Sequence, residues 1–198
     1  MPVQQSSAGE FACSVHGEVT PVQAFTPPDI ASARTYAERS RLPVWLPWPL
    51  PHGWVVSGFG HAGRTLGVAR GTVVTCSGPN PVGGSADLLV VTEEPGIGLG
   101  ARYAGLSATD PGTEVGRGVA DAKPEVDGHP TPMWVVRGAA GNRAVYAGEA
   151  DGRWLWLILH PESAGALLME PLTLVDLRDL GAEIDLLPFG PLCQRLLD

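Results

Sequence analysis

The sequence has few charged residues, and its charge is mostly of one sign. Charged residues make up only 17% of the 198 residues, and 21 acidic side chains against 13 basic ones leave a net charge of −8. Nucleic-acid binding relies mainly on Lys and Arg contacts with phosphates, and the chain contains no run of basic residues. We therefore expect no nucleic-acid partner.

Long hydrophobic runs and closely spaced cysteines are also lacking. A membrane-spanning helix needs about 20 consecutive apolar residues, and no stretch of the sequence reaches that length. The first ten residues are polar and do not have the order of a secretory signal. Cys13, Cys76 and Cys193 lie too far apart to suggest a disulfide framework. These absences predict a cytoplasmic protein without a membrane partner.

Glycine and proline, in contrast, are abundant, with 26 and 19 residues respectively. Such frequent turn residues favour many short strands over long helices. The runs that we predict as strands are 54–60, 66–76, 86–93, 132–137, 144–150 and 153–160. The last two runs are joined by Asp151-Gly152, a typical two-residue hairpin. Within the last run, residues 154–159 are apolar at every position, which predicts a central strand covered on both faces.

A few helices are expected to cover this sheet. Asp29 is a suitable N-cap for a helix that runs to about Arg41, and Pro161 occupies a favoured first position for a second helix. We predict a third helix from Thr173 and a last strand at 183–187. The fold class is therefore α+β, with a mostly antiparallel sheet, a few short covering helices and a Trp/Pro-rich extended segment. Residues 1–26 are predicted to form an arm, and residues 27–198 a single domain.

The Trp/Pro-rich segment, residues 43–54, is the most distinctive feature of the chain. Its twelve residues include three tryptophans, Trp45, Trp48 and Trp54, together with four prolines. Proline excludes a helix interior or a central strand, so the segment must be extended. Its tryptophans either fold back onto the sheet as apolar cover, or remain exposed and bind a partner, as Trp often does at interfaces.

Two glycine-rich loops suggest a different activity. Clustered glycines let backbone N–H groups approach an anion, and residues 96–102 contain Gly96, Gly98 and Gly100 followed by Arg102. The sequence lacks the ending of a phosphate-binding P-loop. A second loop of this type covers residues 78–84. Glu93 and Glu94 supply carboxylates that could serve as an acid or base beside the first loop.

Cys13 and His16 have the spacing of half a zinc site. A structural zinc ion needs four ligands, and the rest of the sequence offers no second pair with usable spacing. We therefore expect no cofactor, and zinc only if further ligands come from upstream of Met1 or from a partner.

Six specific strings identify a family resemblance: PVWLPWPLPHGW (43–54), TCSGPNPVGG (75–84), GIGLGARYAG (96–105), GHPTPMW (128–134), RAVYAGEADGRWLW (143–156) and LRDLGAEIDLLP (177–188). The chain resembles an actinobacterial family of unknown function. Members usually begin with a Cys-x-x-Cys that is similar to half of a zinc ribbon, and the resemblance aligns the second half with Cys13 and His16. The first half is absent here, so the resemblance implies that residues 1–26 are either an N-terminal arm or the remnant half of a zinc ribbon.

Two functional hypotheses follow. The first is a non-catalytic interaction or regulatory module that binds a protein partner through Trp45, Trp48, Trp54 and the adjacent loops. The second is a small-molecule or nucleotide-binding enzyme in which loops 78–84 and 96–102 form one pocket. In the second, Arg102 would bind an anion and Glu93 or Glu94 would act as acid or base. The sequence leaves the oligomeric state open.

Overall fold

The computed structural model describes residues 4–5, 11–13, 17–18, 22–23 and 27–197, with side chains described for 22–23 and 27–197. The strands, in chain order, are β1 Gln4–Gln5, β2 Phe11–Cys13, β3 Gly17–Glu18, β4 Trp45–Pro47, β5 Val55–Ala62, β6 Gly71–Pro79, β7 Ser85–Glu93, β8 Glu125–Val126, β9 His129–Pro130, β10 Met133–Val135, β11 Ala144–Ala150, β12 Arg153–His160 and β13 Thr173–Asp176.

Six of these strands form the central sheet, in the order β10-β11-β12-β7-β6-β5. Every neighbouring pair in it is antiparallel. Strand β12 lies between β11 and β7, and its residues from Leu155 to Leu159 are fully buried. Because alternate side chains of a strand point to opposite faces, Leu157 packs into one hydrophobic cluster and Trp156 into the other. The prediction of a central strand covered on both faces is confirmed.

The hairpin between β11 and β12 is also confirmed. Ala150 pairs with Arg153 across the turn, and Asp151 and Gly152 have φ values of 54° and 69°. Positive φ at both central residues is the conformation of a type I′ turn, whose twist matches that of the flanking strands. This hairpin carries Glu149 and Asp151 to one end of the central sheet.

A smaller mixed sheet has the strand order β4-β13-β8-β9. Strand β13 pairs antiparallel with β4 and parallel with β8. Strand β4 comes from the Trp/Pro segment and lies at the edge of this sheet. An edge strand tolerates proline, such as Pro47 of β4, because it has a neighbouring strand on one side only. The two sheets together confirm an α+β fold in which antiparallel pairing predominates.

Helices are short. Helix α1, Ile30–Arg39, begins at the predicted N-cap, where Asp29 Oδ1 accepts a hydrogen bond from Ser32 N at 2.7 Å. Helix α2 is Leu99–Ala104. The remaining helices are 3₁₀ in type: Leu66–Val68, Glu162–Met169, Leu177–Asp179, Gly181–Leu186 and Gln194–Leu196. Within the described residues, no helix has both the length and the apolar character needed to cross a bilayer.

Three sequence predictions are wrong in detail. Thr173–Asp176 is a strand rather than the start of a helix, because β4 and β8 offer hydrogen-bonding partners on both of its sides. The predicted strand 183–187 is not formed, because residues 183–186 lie in the 3₁₀ helix Gly181–Leu186 and Leu187 is its C-cap. The buried residues of this stretch, Ile184 and Leu187, are three apart, whereas a strand would bury alternate residues. The strand predicted from residue 66 begins at Gly71, after a 3₁₀ helix.

The described part of the first 26 residues contains a three-stranded sheet, β1-β2-β3, in which Ala12 pairs with Glu18 and Cys13 with Gly17. Residue 22 forms an isolated antiparallel bridge with Ala62 of β5. The division between an arm and a domain at residue 26 stays a prediction.

Candidate functional site

Two tryptophans of the Trp/Pro segment are core residues. Trp45 and Trp54 are 5% and 4% exposed and belong to the main hydrophobic cluster. Trp48 is half-buried, and its indole N–H donates a hydrogen bond to Glu183 Oε2 at 2.6 Å. The segment therefore packs mainly as apolar cover on the protein itself. Whether it also binds a partner stays a prediction, and the only partly accessible tryptophan of the three is Trp48.

A polar cleft of about 470 Å³ lies beside this segment, where the small sheet meets the β11–β12 turn. We call it the acidic cleft. Its lining comes from four separate stretches of the chain: Pro43 and Trp45; Val126, Asp127, His129 and Thr131; Glu149, Ala150 and Asp151; and Asp176, Arg178 and Asp179. The volume lies within the range of about 300–1,000 Å³ that is typical of ligand sites.

The floor of the acidic cleft is held by Asp176. This residue is 3% exposed and pairs with Trp45 across the β4–β13 ladder. Its Oδ1 accepts hydrogen bonds from Val44 N at 3.1 Å and Arg178 N at 3.0 Å, and its Oδ2 lies 2.6 Å from Arg178 Nη2. A buried carboxylate is tolerated when it is paired in this way, so Asp176 contributes to structure and its charge is compensated.

Three other carboxylates of the acidic cleft differ from Asp176. Asp127, Glu149 and Asp179 are exposed and form no ion pair with any side chain that the structure describes. Asp151 is paired with Arg153, whose Nη1 lies 2.6 Å from Asp151 Oδ2. The cleft thus carries five carboxylates against one lining arginine, and it has an excess of negative charge suited to a cationic group.

The indole N–H of Trp45, in the wall of the acidic cleft, is buried and has no hydrogen-bond partner among the described residues. An unpaired buried donor costs roughly 1–3 kcal/mol.

The glycine-rich loop 96–102 binds an anion, but that anion belongs to the protein. Glu93, which is fully buried, accepts hydrogen bonds from Leu99 N at 2.6 Å and Gly100 N at 3.1 Å. Gly96 N donates to Asp110 Oδ1 at 3.0 Å. Burial raises the pKa of Glu93 to about 7, against the opposing effect of these two backbone hydrogen bonds. The loop amides are therefore occupied by internal carboxylates.

The glycines of this loop serve packing and backbone conformation. Gly96 and Gly98 have φ values of 81° and 79°, in the left-handed region that favours glycine. A Cβ on Gly100 would lie 2.4 Å from atoms of the buried Trp156 indole. The guanidinium carbon of Arg102 lies 5.9 Å from the centre of the Tyr103 ring. None of these arrangements requires an external ligand.

The two glycine-rich loops do not form one pocket. Loop 78–84 precedes β7, and loop 96–102 follows it. A strand of nine residues at about 3.3 Å per residue separates its two ends by roughly 26–30 Å. Glu94, the other proposed acid or base, is paired with Arg70 at 2.7 Å and Arg41 at 3.4 Å. The hypothesis that loops 78–84 and 96–102 form one pocket is wrong, because a single strand carries them to opposite ends.

The predicted zinc ligands cannot be located. Cys13 is described for its backbone only, and His16 lies outside the described residues. Among the side chains that are described, no group of three or more His, Cys, Asp or Glu is arranged to hold a metal ion. Cys76 and Cys193 are free and buried, and burial raises the pKa of the Cys193 thiol to about 11.

Sequence reasoning missed most of the acidic cleft. The Asp151-Gly152 pattern predicts only a hairpin turn, and Asp127 has no predicted role. Asp176 and Asp179 were assigned to a helix that does not form. The usable signal was weak: carboxylates recur where several strands end, but their convergence depends on a parallel β13–β8 pairing between segments about 50 residues apart.

Comparison with known proteins yields a family model that matches residues 2–196, described as a family of unknown function (DUF6758). No curated protein and no solved structure matches the chain.

Proposed function

Because the chain belongs to DUF6758, a family of unknown function, we propose a role from its own geometry: a non-catalytic interaction module whose acidic cleft binds a basic segment of a protein partner. One observation carries the proposal. Asp127, Glu149 and Asp179 meet in one cleft without an ion pair to any described side chain.

A cationic side chain suits this cleft better than a neutral or anionic one. Uncompensated carboxylates repel one another, and an arginine or lysine placed between them would relieve that repulsion. Arginine fits best, because its planar guanidinium forms paired hydrogen bonds with carboxylates and stacks on aromatic rings. Trp45 also lines the cleft, but only 5% of it is exposed, so the paired contacts with carboxylates carry the preference for arginine.

The Trp/Pro segment has a supporting role in this proposal. Proline restricts the backbone beside Trp45, and the β4–β13 pairing places that tryptophan opposite Asp176. A rigid wall lowers the entropy lost when a partner binds. The segment therefore orients the acidic cleft, and Trp48, the less buried tryptophan, lies farther along the same segment, with its indole bound to Glu183.

The proposal is not catalytic because the acid–base candidates are already occupied. Glu93 accepts two backbone hydrogen bonds within the core, and Glu94 is paired with two arginines. General acid–base catalysis needs a group within hydrogen-bond reach of a bound substrate. In their present positions these two carboxylates stabilise the fold.

The test is a titration of the protein with a blocked tetra-arginine peptide, followed by calorimetry and by the backbone amide NMR signals. We expect the largest signal changes at residues 127–131, 149–151 and 176–179. A triple variant, Asp127→Asn with Glu149→Gln and Asp179→Asn, should weaken binding by at least about tenfold, because each charge-assisted contact is worth more than a neutral one.

The matched control removes three exposed carboxylates elsewhere: Glu114→Gln, Glu162→Gln and Glu170→Gln. It has the same net charge as the cleft variant. If both variants lose affinity equally, the peptide follows overall charge rather than the cleft, and the proposal is wrong. Alanine at Trp45 is a poor test, because it would remove a core side chain.

A further inference from the structure

Two hairpin turns of the acidic cleft have the same sequence and the same conformation. Asp127-Gly128 joins β8 to β9, and Asp151-Gly152 joins β11 to β12. The φ values are 48° and 74° in the first turn and 54° and 69° in the second. All four residues are exposed, and both aspartates line the cleft. The two turns therefore share the same local chemistry, and any difference between them comes from their surroundings.

An Asp-Gly pair can isomerise without an enzyme or a cofactor. The backbone nitrogen of the glycine attacks the side-chain carboxyl carbon of the aspartate. The hydroxyl of the protonated carboxyl group leaves as water with the amide proton, and a five-membered cyclic imide forms. Water then opens the ring at either carbonyl carbon, which returns aspartate or gives isoaspartate. Glycine favours the ring closure because it has no Cβ to obstruct the attack.

The carboxylates of the two turns are held differently. Arg153 Nη1 lies 2.6 Å from Asp151 Oδ2 and also donates to Asp151 O at 2.6 Å, so one guanidinium ties the side chain to its own backbone. Ring closure onto Gly152 N has to break this ion pair. The carboxylate of Asp127 has no ion pair or hydrogen bond with any side chain that the structure describes. It is free to turn towards Gly128 N.

The two hairpins also differ in how extensively their strands pair. Strands β11 and β12 pair over seven residues within the central sheet, whereas β8 and β9 pair over two, and β9 is the edge of the small sheet. The first turn is tied to β13 by a hydrogen bond from Asp127 N to Leu174 O at 3.0 Å. Ring closure needs the Asp–Gly peptide to rotate out of the turn, and local opening costs less where less paired and buried structure is lost. The Asp127 turn therefore opens more readily.

We propose that Asp127 is a site of isoaspartate formation and that Asp151, in an identical turn, is protected from it. Isoaspartate adds a carbon to the main chain and moves the free carboxylate, so the β8–β9 turn and its charge no longer keep their positions in the acidic cleft. A further consequence rests on the proposed function of that cleft: isomerisation at Asp127 weakens binding of the basic segment, and binding declines as the protein ages.

The experiment incubates the full chain at physiological temperature in a mildly acidic buffer and then digests it after arginine. This places Asp127 in the peptide 118–137 and Asp151 in the peptide 144–153. Isoaspartate changes the retention of a peptide without changing its mass, and electron-transfer fragmentation locates the modified residue. We expect isoaspartate to accumulate at least about tenfold faster at Asp127, the ratio for a difference of about 1.4 kcal/mol in opening free energy. Equal rates, or a faster rate at Asp151, would overturn the proposal.

The same incubation in urea is the control for the fold. Both turns are lost there, so the two rates should become similar. A tenfold ratio that persists in urea would assign the difference to the flanking residues and would also overturn the proposal. Asp127→Glu is the matched variant, because it keeps the charge while its longer side chain closes the corresponding six-membered ring far more slowly.

Binding of the tetra-arginine peptide to fresh and aged samples separates this inference from the proposed function. We expect isomerised protein to bind at least about threefold more weakly than fresh protein, and aged Asp127→Glu to keep the affinity of its own fresh sample. Fresh protein that does not bind would contradict the proposed function and leave the measured isomerisation standing. Equal binding by fresh and isomerised protein would contradict the effect on the cleft. The Asp127→Asn substitution is measured fresh, because Asn-Gly closes the same ring with loss of ammonia.

Discussion

The glycine-rich loop 96–102 and the acidic cleft are both built around carboxylates, but they handle them in opposite ways. In the loop, Glu93 is fully buried and accepts hydrogen bonds from Leu99 N and Gly100 N. In the cleft, Asp127, Glu149 and Asp179 are exposed and have no ion pair with a described side chain. The difference shows that a motif suited to anions can be satisfied by the protein's own carboxylates, whereas acidic residues from separate elements with no motif can form the open cleft.

We expect the largest loss of stability from a substitution that disturbs the packing of the glycine-rich loop. Gly100→Ala places a Cβ 2.4 Å from the fully buried Trp156 indole, and overpacking at such a site costs about 3 kcal/mol. We expect urea unfolding to show a loss of this size, because neither the helix backbone nor the indole has room to move.

Gly96→Ala is the control for that substitution. Its Cβ would meet no atom within 4 Å, but its φ of 81° is strained for alanine, which costs roughly 1–2 kcal/mol. If Gly96→Ala destabilises the protein more than Gly100→Ala, the loop does not pack on Trp156 as described.

The second prediction concerns the buried carboxyl group itself. Burial raises the pKa of Glu93 from 4.5 to about 7 in the folded protein. Between these two values the folded state binds more protons than the unfolded state, so the free energy of unfolding falls as pH rises. The raised pKa of Glu93 therefore contributes a stability on the order of 3 kcal/mol. This contribution is fully present below about pH 4.5 and is lost above about pH 7.

Glu93→Gln removes this titration while keeping one acceptor oxygen. Urea unfolding of both proteins at about pH 5 and about pH 8 isolates the contribution of Glu93, because every other titrating group is shared. We expect the variant to be less stable than the original protein at the lower pH and to lose this disadvantage at the higher pH. A stability difference that does not change with pH would mean that Glu93 is not buried in its protonated form.

The smallest effect is expected in the acidic cleft. The triple variant Asp127→Asn, Glu149→Gln and Asp179→Asn should be slightly more stable than the original protein, by less than about 1 kcal/mol, because like charges no longer repel. The gain should disappear in high salt, which screens exposed charges. Thermal unfolding at low and high salt measures it. A clear loss of stability would contradict this description, because it would show that the three carboxylates stabilise the fold.

Sequence patterns predicted those parts of the fold that depend on neighbours along the chain. The helix that begins after Asp29, the Asp151-Gly152 hairpin and the buried run in β12 follow from capping, turn conformation and hydrophobic pattern. The helix predicted from Thr173 failed because β4 and β8 offer hydrogen-bonding partners on both sides of residues 173–176, and no local pattern reveals those partners.

The candidate sites were much less predictable. The glycine-rich loop was recognised as suited to an anion, but the sequence could not show that Glu93, six residues before Leu99, would occupy its amides. The carboxylates of the acidic cleft gave little signal, because strand pairing brings them together only in the folded chain.

The sequence by itself determined the class of the fold, the central buried strand and the extended form of the Trp/Pro segment, because hydrophobic periodicity and proline stereochemistry act over a few residues. Only the tertiary structure decided that Trp45 is buried opposite Asp176, 131 residues away along the chain. It also decided that the two glycine-rich loops lie at opposite ends of β7 and that four separate stretches of the chain surround one cleft. Such arrangements depend on strand pairing between remote segments, which no local pattern encodes.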